Sequence, residues 1–122
     1  MVPVASVEAV ARVGFRGDVH AIEDSNRQVL LVEQETLDSL NLQPGVVKEN
    51  ITTQGVLLTS LRPGQLLRIS DAILQITNEC KPCRRMEEIR AGLQELLRGR
   101  RGMLARVLRS GTIHAGDAIN VM

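Results

Sequence analysis

The chain has 122 residues and a mass of 13.4 kDa, which fits one domain; two cores would hold about 60 residues each, a size that buries only about 60% of its surface. Hydrophobic residues at 43% and charged residues at 24% exclude a disordered polymer. The 15 basic and 14 acidic residues leave +1, so no bulk field draws the chain to nucleic acid or an anionic membrane, and Phe15 as the sole aromatic excludes a base-stacking platform.

In chain order, alternation over Ser6 to Val13 predicts a first strand, broken by Gly14, Gly17 and Asp18. Gln28 to Val32 is a compact apolar run of strand length, and Thr36 to Leu40 follows as a short helix. Asn41 to Gly45 forms a turn, and Val46 to Thr53 is expected as a strand carrying polar residues. Gln65 to Ser70 and Ile73 to Thr77, joined by Asp71-Ala72, form a hairpin. Met86, Ile89, Leu93, Leu96 and Leu97 share one face of a 3.6-residue period, which predicts a long helix over Arg84 to Arg98, stopped by Gly99. Gly102 to Leu108 and Thr112 to Val121 are closing strands, with turns at Ser110-Gly111 and Ala115 to Asp117. The expected fold is mostly β with two helices, an α+β chain forming a small barrel-like sheet in a single domain over residues 1–122.

No run approaches the roughly 18 apolar residues of a membrane span. Met1 to Val13 lacks the basic and apolar regions of a secretory signal. Two cysteines are too few for a disulfide scaffold. The expected compartment is therefore the reducing cytoplasm, with neither nucleic acid nor membrane as a partner.

The segment Asn78-Glu79-Cys80-Lys81-Pro82-Cys83-Arg84-Arg85 carries the most chemistry. Cys83 falls between the expected strand and helix, where free backbone N–H groups and the positive charges of Arg84 and Arg85 favour a thiolate. A thiolate is both a nucleophile and a soft-metal ligand. Pro82 restricts the backbone just before it. Buried cysteines also serve as small apolar residues, a role that suits Cys80 better than Cys83. A zinc site would need Cys80 and Cys83 with both His20 and His114, or a carboxylate, and the chain has neither a His-pair spacing nor a second C-x-x-C. A thioredoxin-like pair lacks the upstream βα pattern.

A second group lies in Lys48-Glu49-Asn50-Ile51-Thr52. Strand alternation would set Lys48, Asn50 and Thr52 on one face, offering a cation, an amide and a hydroxyl to a phosphate or a polar heterocycle; a solvated face is the plainer reading. Arg27, just before the apolar run, is a further candidate for an anion. No Walker sequence or G-x-G-x-x-G is present.

Several segments together resemble the MOSC domain, found at the C-terminus of molybdenum-cofactor sulfurases and in small stand-alone bacterial proteins. They are Glu49 to Gly55, Leu61-Arg62-Pro63-Gly64, Ile69 to Ile76, Lys81-Pro82-Cys83 and Gly111 to Asp117, with Gly17 to Ala21 and Arg27 to Leu31 matching the family's first half. The resemblance covers about residues 6 to 121. It implies a barrel similar to that of the pyruvate-kinase barrel domain. It also implies an essential cysteine, here Cys83, that carries sulfur or binds the molybdenum of a pterin cofactor (molybdopterin). In amidoxime-reducing relatives, a basic residue and an asparagine beside the pterin fall on Lys48 and Asn50. With Thr52, Arg27 and Arg84, these form the expected cofactor-binding set. Those relatives carry a second cysteine as metal ligand, and the matching position here is Met86.

The 122 residues contain no pyridoxal-phosphate desulfurase domain and no additional N-terminal barrel, so no pyridoxal phosphate is expected on this chain alone. Two roles follow from the resemblance: a sulfur- or cofactor-delivery module, or the metal-bearing component of a small reductase of N-hydroxylated compounds. The partner would be a separate molybdoenzyme, a desulfurase or an electron-donor protein. The alternative is a non-catalytic module binding a phosphorylated small ligand through Lys48, Asn50, Thr52 and Arg27.

Overall fold

The computed structural model describes residues 6–11, 14–15, 28–45, 47 and 49–122. Among these residues strand residues far outnumber helical ones. β1 (Ser6–Val10) turns back into β2 (Gly14–Phe15), so Gly14 opens a second strand instead of only ending the first. β3 (Val29–Glu33) leads into α1 (Gln34–Ser39). β4 (Ile51–Thr53) keeps only the end of the strand expected over Val46 to Thr53. A 3-10 turn over Leu58–Ser60 precedes the antiparallel hairpin of β5 (Leu66–Ile69) and β6 (Ala72–Glu79). After two single-turn helices come β7 (Met103–Arg109), β8 (Gly111–His114) and β9 (Ile119–Val121).

Six strands form one curled sheet in the order β4-β3-β7-β6-β5-β9, and three form a second in the order β2-β1-β8. β7 and β8 are nearly continuous, and the bend at Ser110 hands the chain from one sheet to the other. Two register shifts between β6 and β7 add curvature. β3 and β4 run parallel, while β3 with β7 and β6 with β7 run antiparallel. The C-terminal ends of β3, β4 and β6 therefore meet the N-terminal end of β7 at one end of the sheet.

β3 is apolar from Val29 to Val32 because both its faces are covered there. Val29 and Leu31 join a core with Leu67, Leu74, Ile76 and Ile113, closing the space between the two sheets. Leu30 and Val32 join a second core with Leu37, Met86, Leu93 and Leu97, under the helices. Two side chains extend the backbone ladders next to β3. Val107 N–H donates to Gln28 Oε1 (3.0 Å), and Leu30 N–H donates to Asn50 Oδ1 (2.8 Å).

The long helix expected over Arg84 to Arg98 is not continuous. It is split into α2 (Met86–Ile89) and α3 (Leu93–Leu96). Arg90 is extended (φ −159°, ψ 135°) and Gly92 is left-handed (φ 84°), a conformation glycine adopts without strain. The Glu87 carboxylate bridges the break, accepting from Gly92 N–H and Gln94 N–H at 2.9 Å each. These backbone donors hold its pKa below the ordinary value. The kink rotates the second turn, so Leu93 and Leu97 are fully buried while Leu96 is 45% exposed. Leu93→Ala is therefore expected to cost about 2–5 kcal/mol in a urea titration. Leu96→Ala should stay within about 0.5 kcal/mol. Equal losses would restore the continuous helix.

Candidate functional site

Backbone N–H of Cys80 donates to Gly102 O at 2.9 Å, adding one rung beyond the end of β6. The Cys80 side chain is only 6% exposed and belongs to the core under the helices, as does Met86 at 4%. Residues 81–85 thus form a short strap tied down at both ends by buried side chains. Cys83, within the strap, is exposed, and both cysteines are free thiols. Successive turns start at the strap, with Met86 N–H donating to Cys83 O at 3.0 Å and Glu87 N–H to Arg84 O at 3.0 Å. Lys81, Arg84 and Arg85 are exposed, and none forms an ion pair among the described residues. The strap therefore presents one thiol amid three unpaired cations. α2 is a single turn, so the positive character here comes from these side chains and not from an extended helix dipole.

Met86, at the place of the relatives' second cysteine, is committed to the core. Cys83 is then the only exposed thiol in the chain. No cluster of three or more His, Cys, Asp or Glu suited to a metal occurs among the described residues. No helix among them is long and apolar enough to cross a membrane.

Lys48 and Arg27 lie outside the described residues. Asn50 and Thr52 turn their oxygens into the protein. Asn50 Oδ1 accepts from Leu30 N–H, and Thr52 Oγ1 donates to Glu49 Oε2 at 2.9 Å. Asn50 pairs with Leu30 by its backbone as well. Leu30 pairs with Leu104, and Leu104 with Asn78. Asn50 is thus three strand spacings from β6, roughly 14 Å, and is not brought onto a strand next to the one that leads to Cys83. Arg84 does share the strap with Cys83.

The structure also buries Glu49, which opens the Glu49 to Gly55 segment without an expected role, and Arg101, which no motif marks. Glu49 is 3% exposed and Arg101 6%. Glu49 Oε2 accepts from Gly45 N–H at 2.9 Å, and Arg101 Nη2 donates to Val47 O at 2.7 Å. Together they fasten Gly45 and Val47, although Glu49 Oε1 and Arg101 Nη1 have no hydrogen-bond partner among the described residues. On the barrel side, a cleft of about 440 Å³ opens at the same end of the sheet. Leu58, Leu61, Pro63 and Met103 supply its apolar lining, and Glu33, Asn78 and Glu79 its polar lining. Burial raises the pKa of Glu33, and the nearby Glu35 charge pushes it the same way. These carboxylates are far apart in sequence and carry no motif; only the end-to-end alignment of β3 and β6 brings them together.

The family model of the MOSC domain matches residues 16–120, and the chain belongs to that family, which is associated with molybdenum-cofactor binding or sulfuration. Comparison with curated proteins finds no match. Among solved structures, the YuaD protein of Bacillus subtilis superposes with a TM-score of 0.82 at 21% identity, covering 97% of this chain and 85% of that one. YiiM from Geobacillus stearothermophilus gives 0.81 at 19% identity over 98% of this chain, and YiiM from Escherichia coli 0.76 at 19% over 96%. This chain spans 62% of each YiiM protein and 60% of a further matched hypothetical protein. At these identities the likeness is one of fold.

Two outcomes follow from this geometry. Limiting iodoacetamide near neutral pH should label Cys83 before Cys80, read by peptide mass mapping; preferential labelling of Cys80 would contradict the strap geometry. Glu33, with its pKa raised in the folded state, costs stability once ionised. That cost is relieved as pH falls from the folded pKa towards the unfolded one. Glu33→Gln is therefore expected to raise the urea midpoint at neutral pH. The gain should shrink below the carboxylate range, and a lower midpoint at neutral pH would show that the charged form is favoured.

Proposed function

We propose that this MOSC protein binds a molybdopterin-type cofactor at the Lys81–Arg85 strap, with Cys83 Sγ as the thiolate ligand or the sulfur acceptor. The observation that carries this reading is the division of labour between the two cysteines: Cys80 is packed into the core while Cys83 is exposed among unpaired cations. The donor set fits the group. A thiolate is a soft ligand suited to a sulfur-rich metal centre, and Lys81, Arg84 and Arg85 provide charge-assisted donors for a phosphate. When bound, the cofactor would supply two-electron redox chemistry or a site for sulfur transfer. The chain's part is to hold the sulfur atom at a fixed place and to balance the negative charge of the phosphate. Anchoring by Cys80 and Met86 limits the freedom of the strap, which reduces the ordering cost of binding.

Both proposed roles use the same atom. A sulfur- or cofactor-delivery module needs Cys83 accessible to a partner enzyme, and a reductase component needs metal retained there and an electron donor. Lys48, Asn50, Thr52 and Arg27 remain proposed contacts to the pterin. The purely phosphate-binding alternative uses the same Lys48, Asn50, Thr52 and Arg27 and draws less support, because it gives the exposed Cys83 thiol no part.

The test is elemental analysis and cyanolysis of protein purified from molybdenum-replete cells. Wild-type protein is expected to retain molybdenum or cyanide-labile sulfur. Cys83→Ser should lose both, with an unchanged melting transition because the thiol is exposed. Retention by the serine variant, or neither species on the wild type, would overturn the assignment.

A further inference from the structure

The cleft on the barrel side differs from the strap in the sign of its charge. Glu33 stands at the end of β3 and Glu79 at the end of β6, and both line it. Elsewhere the carboxylates of Glu35, Asp38, Glu49, Glu87, Glu95 and Asp117 accept hydrogen bonds. Glu33 and Glu79 accept none among the described residues, and no cation lies within ion-pair distance of either. Arg100, the only cationic side chain in the lining among the described residues, is spent elsewhere. Its Nε donates to Leu96 O at 2.9 Å and its Nη1 to Ser39 Oγ at 3.4 Å. The Asn78 amide is likewise without a partner among the described residues. Leu58, Leu61 and Met103 belong to the rigid core beneath and extend it into the cleft as an apolar surface.

A concave space of this size, largely apolar and with a few unspent polar groups, has the make-up of a small-molecule site. Two uncompensated carboxylates reject an anion and favour a cation. We propose that this cleft binds small organic cations, with an ammonium or guanidinium head on Glu33 and Glu79 and an apolar body against Leu58, Leu61 and Met103. The head would donate charge-assisted hydrogen bonds to the two carboxylates, which none of the described cations occupies. The body would take the place of water on the apolar lining. The raised pKa of Glu33 agrees with a carboxylate that lacks a counter-ion. The site rests on the cleft alone and stands whether or not Cys83 carries metal or sulfur.

The test is an NMR titration of the ¹⁵N-labelled full chain with three ligands of similar shape: benzylammonium, benzyl alcohol and benzoate. Benzylammonium is expected to give saturable shifts at the amides of Glu33, Asn78, Glu79, Gly102 and Met103. Benzyl alcohol should bind about tenfold more weakly, the value of one charge-assisted hydrogen bond, and benzoate should not saturate. The double variant Glu33→Gln, Glu79→Gln should bring benzylammonium down to the level of the alcohol. Failure of benzylammonium to saturate, shifts confined to other residues, or benzoate binding as well as benzylammonium would overturn the proposal. The ligand ranking on wild-type protein decides the matter even where the double variant does not fold.

Discussion

One backbone hydrogen bond organises the end of the sheet that carries the strap and the cleft: Cys80 N–H to Gly102 O, at 2.9 Å. It closes the β6–β7 ladder just where both strands reach the rim of the sheet. Gly102 is required there on two counts. Its φ is +133°, and a methyl group would lie 2.3 Å from the carbonyl oxygen of Leu31. The close approach draws β7 against β3, which aligns the end of β3 with the end of β6. The cleft forms on one face of this junction and the strap leaves from the other. Cys80 contributes twice, with its N–H in the ladder and its side chain in the core under the helices.

Charge is distributed to match. The chain as a whole is almost neutral at +1, yet this end of the sheet separates the signs. Lys81, Arg84 and Arg85 lie on the strap, anchored from the helical side. Glu33 and Glu79 lie in the cleft on the barrel side. Net charge therefore says little about partners here, because the local fields are set by which strand ends meet. Two further charged residues, Glu49 and Arg101, are buried and hold Gly45 and Val47 rather than meeting solvent.

Much of the fold was legible in the sequence because period-two alternation and turn residues mark short strands directly. The hairpin of β5 and β6, the apolar β3 and the closing strands all lie where the pattern sets them. The long helix was misread because Met86, Leu93 and Leu97 satisfy a helical period across a break. The signal for the break was Gly92, which costs a helix interior about 1 kcal/mol relative to alanine, and whose left-handed φ turns the second segment. The contrast between Cys80 and Cys83 was legible from local charge. The alternation through Lys48, Asn50 and Thr52 was less informative. β4 is only three residues long, Asn50 lies just before it with its side-chain oxygen on the Leu30 N–H, and the Thr52 hydroxyl bonds to Glu49. The cleft was beyond sequence reading, since Glu33 and Glu79 are 46 positions apart and meet only through topology.

The proposed function makes Cys83 Sγ the point where a cofactor or its sulfur would join the chain. The most direct measurement is the rate of Cys83 alkylation with and without molybdopterin released from a molybdoenzyme. Protection that saturates with added cofactor, with Cys80 unaffected, is the predicted result. An alkylation rate at Cys83 that does not change at any cofactor concentration would contradict the account.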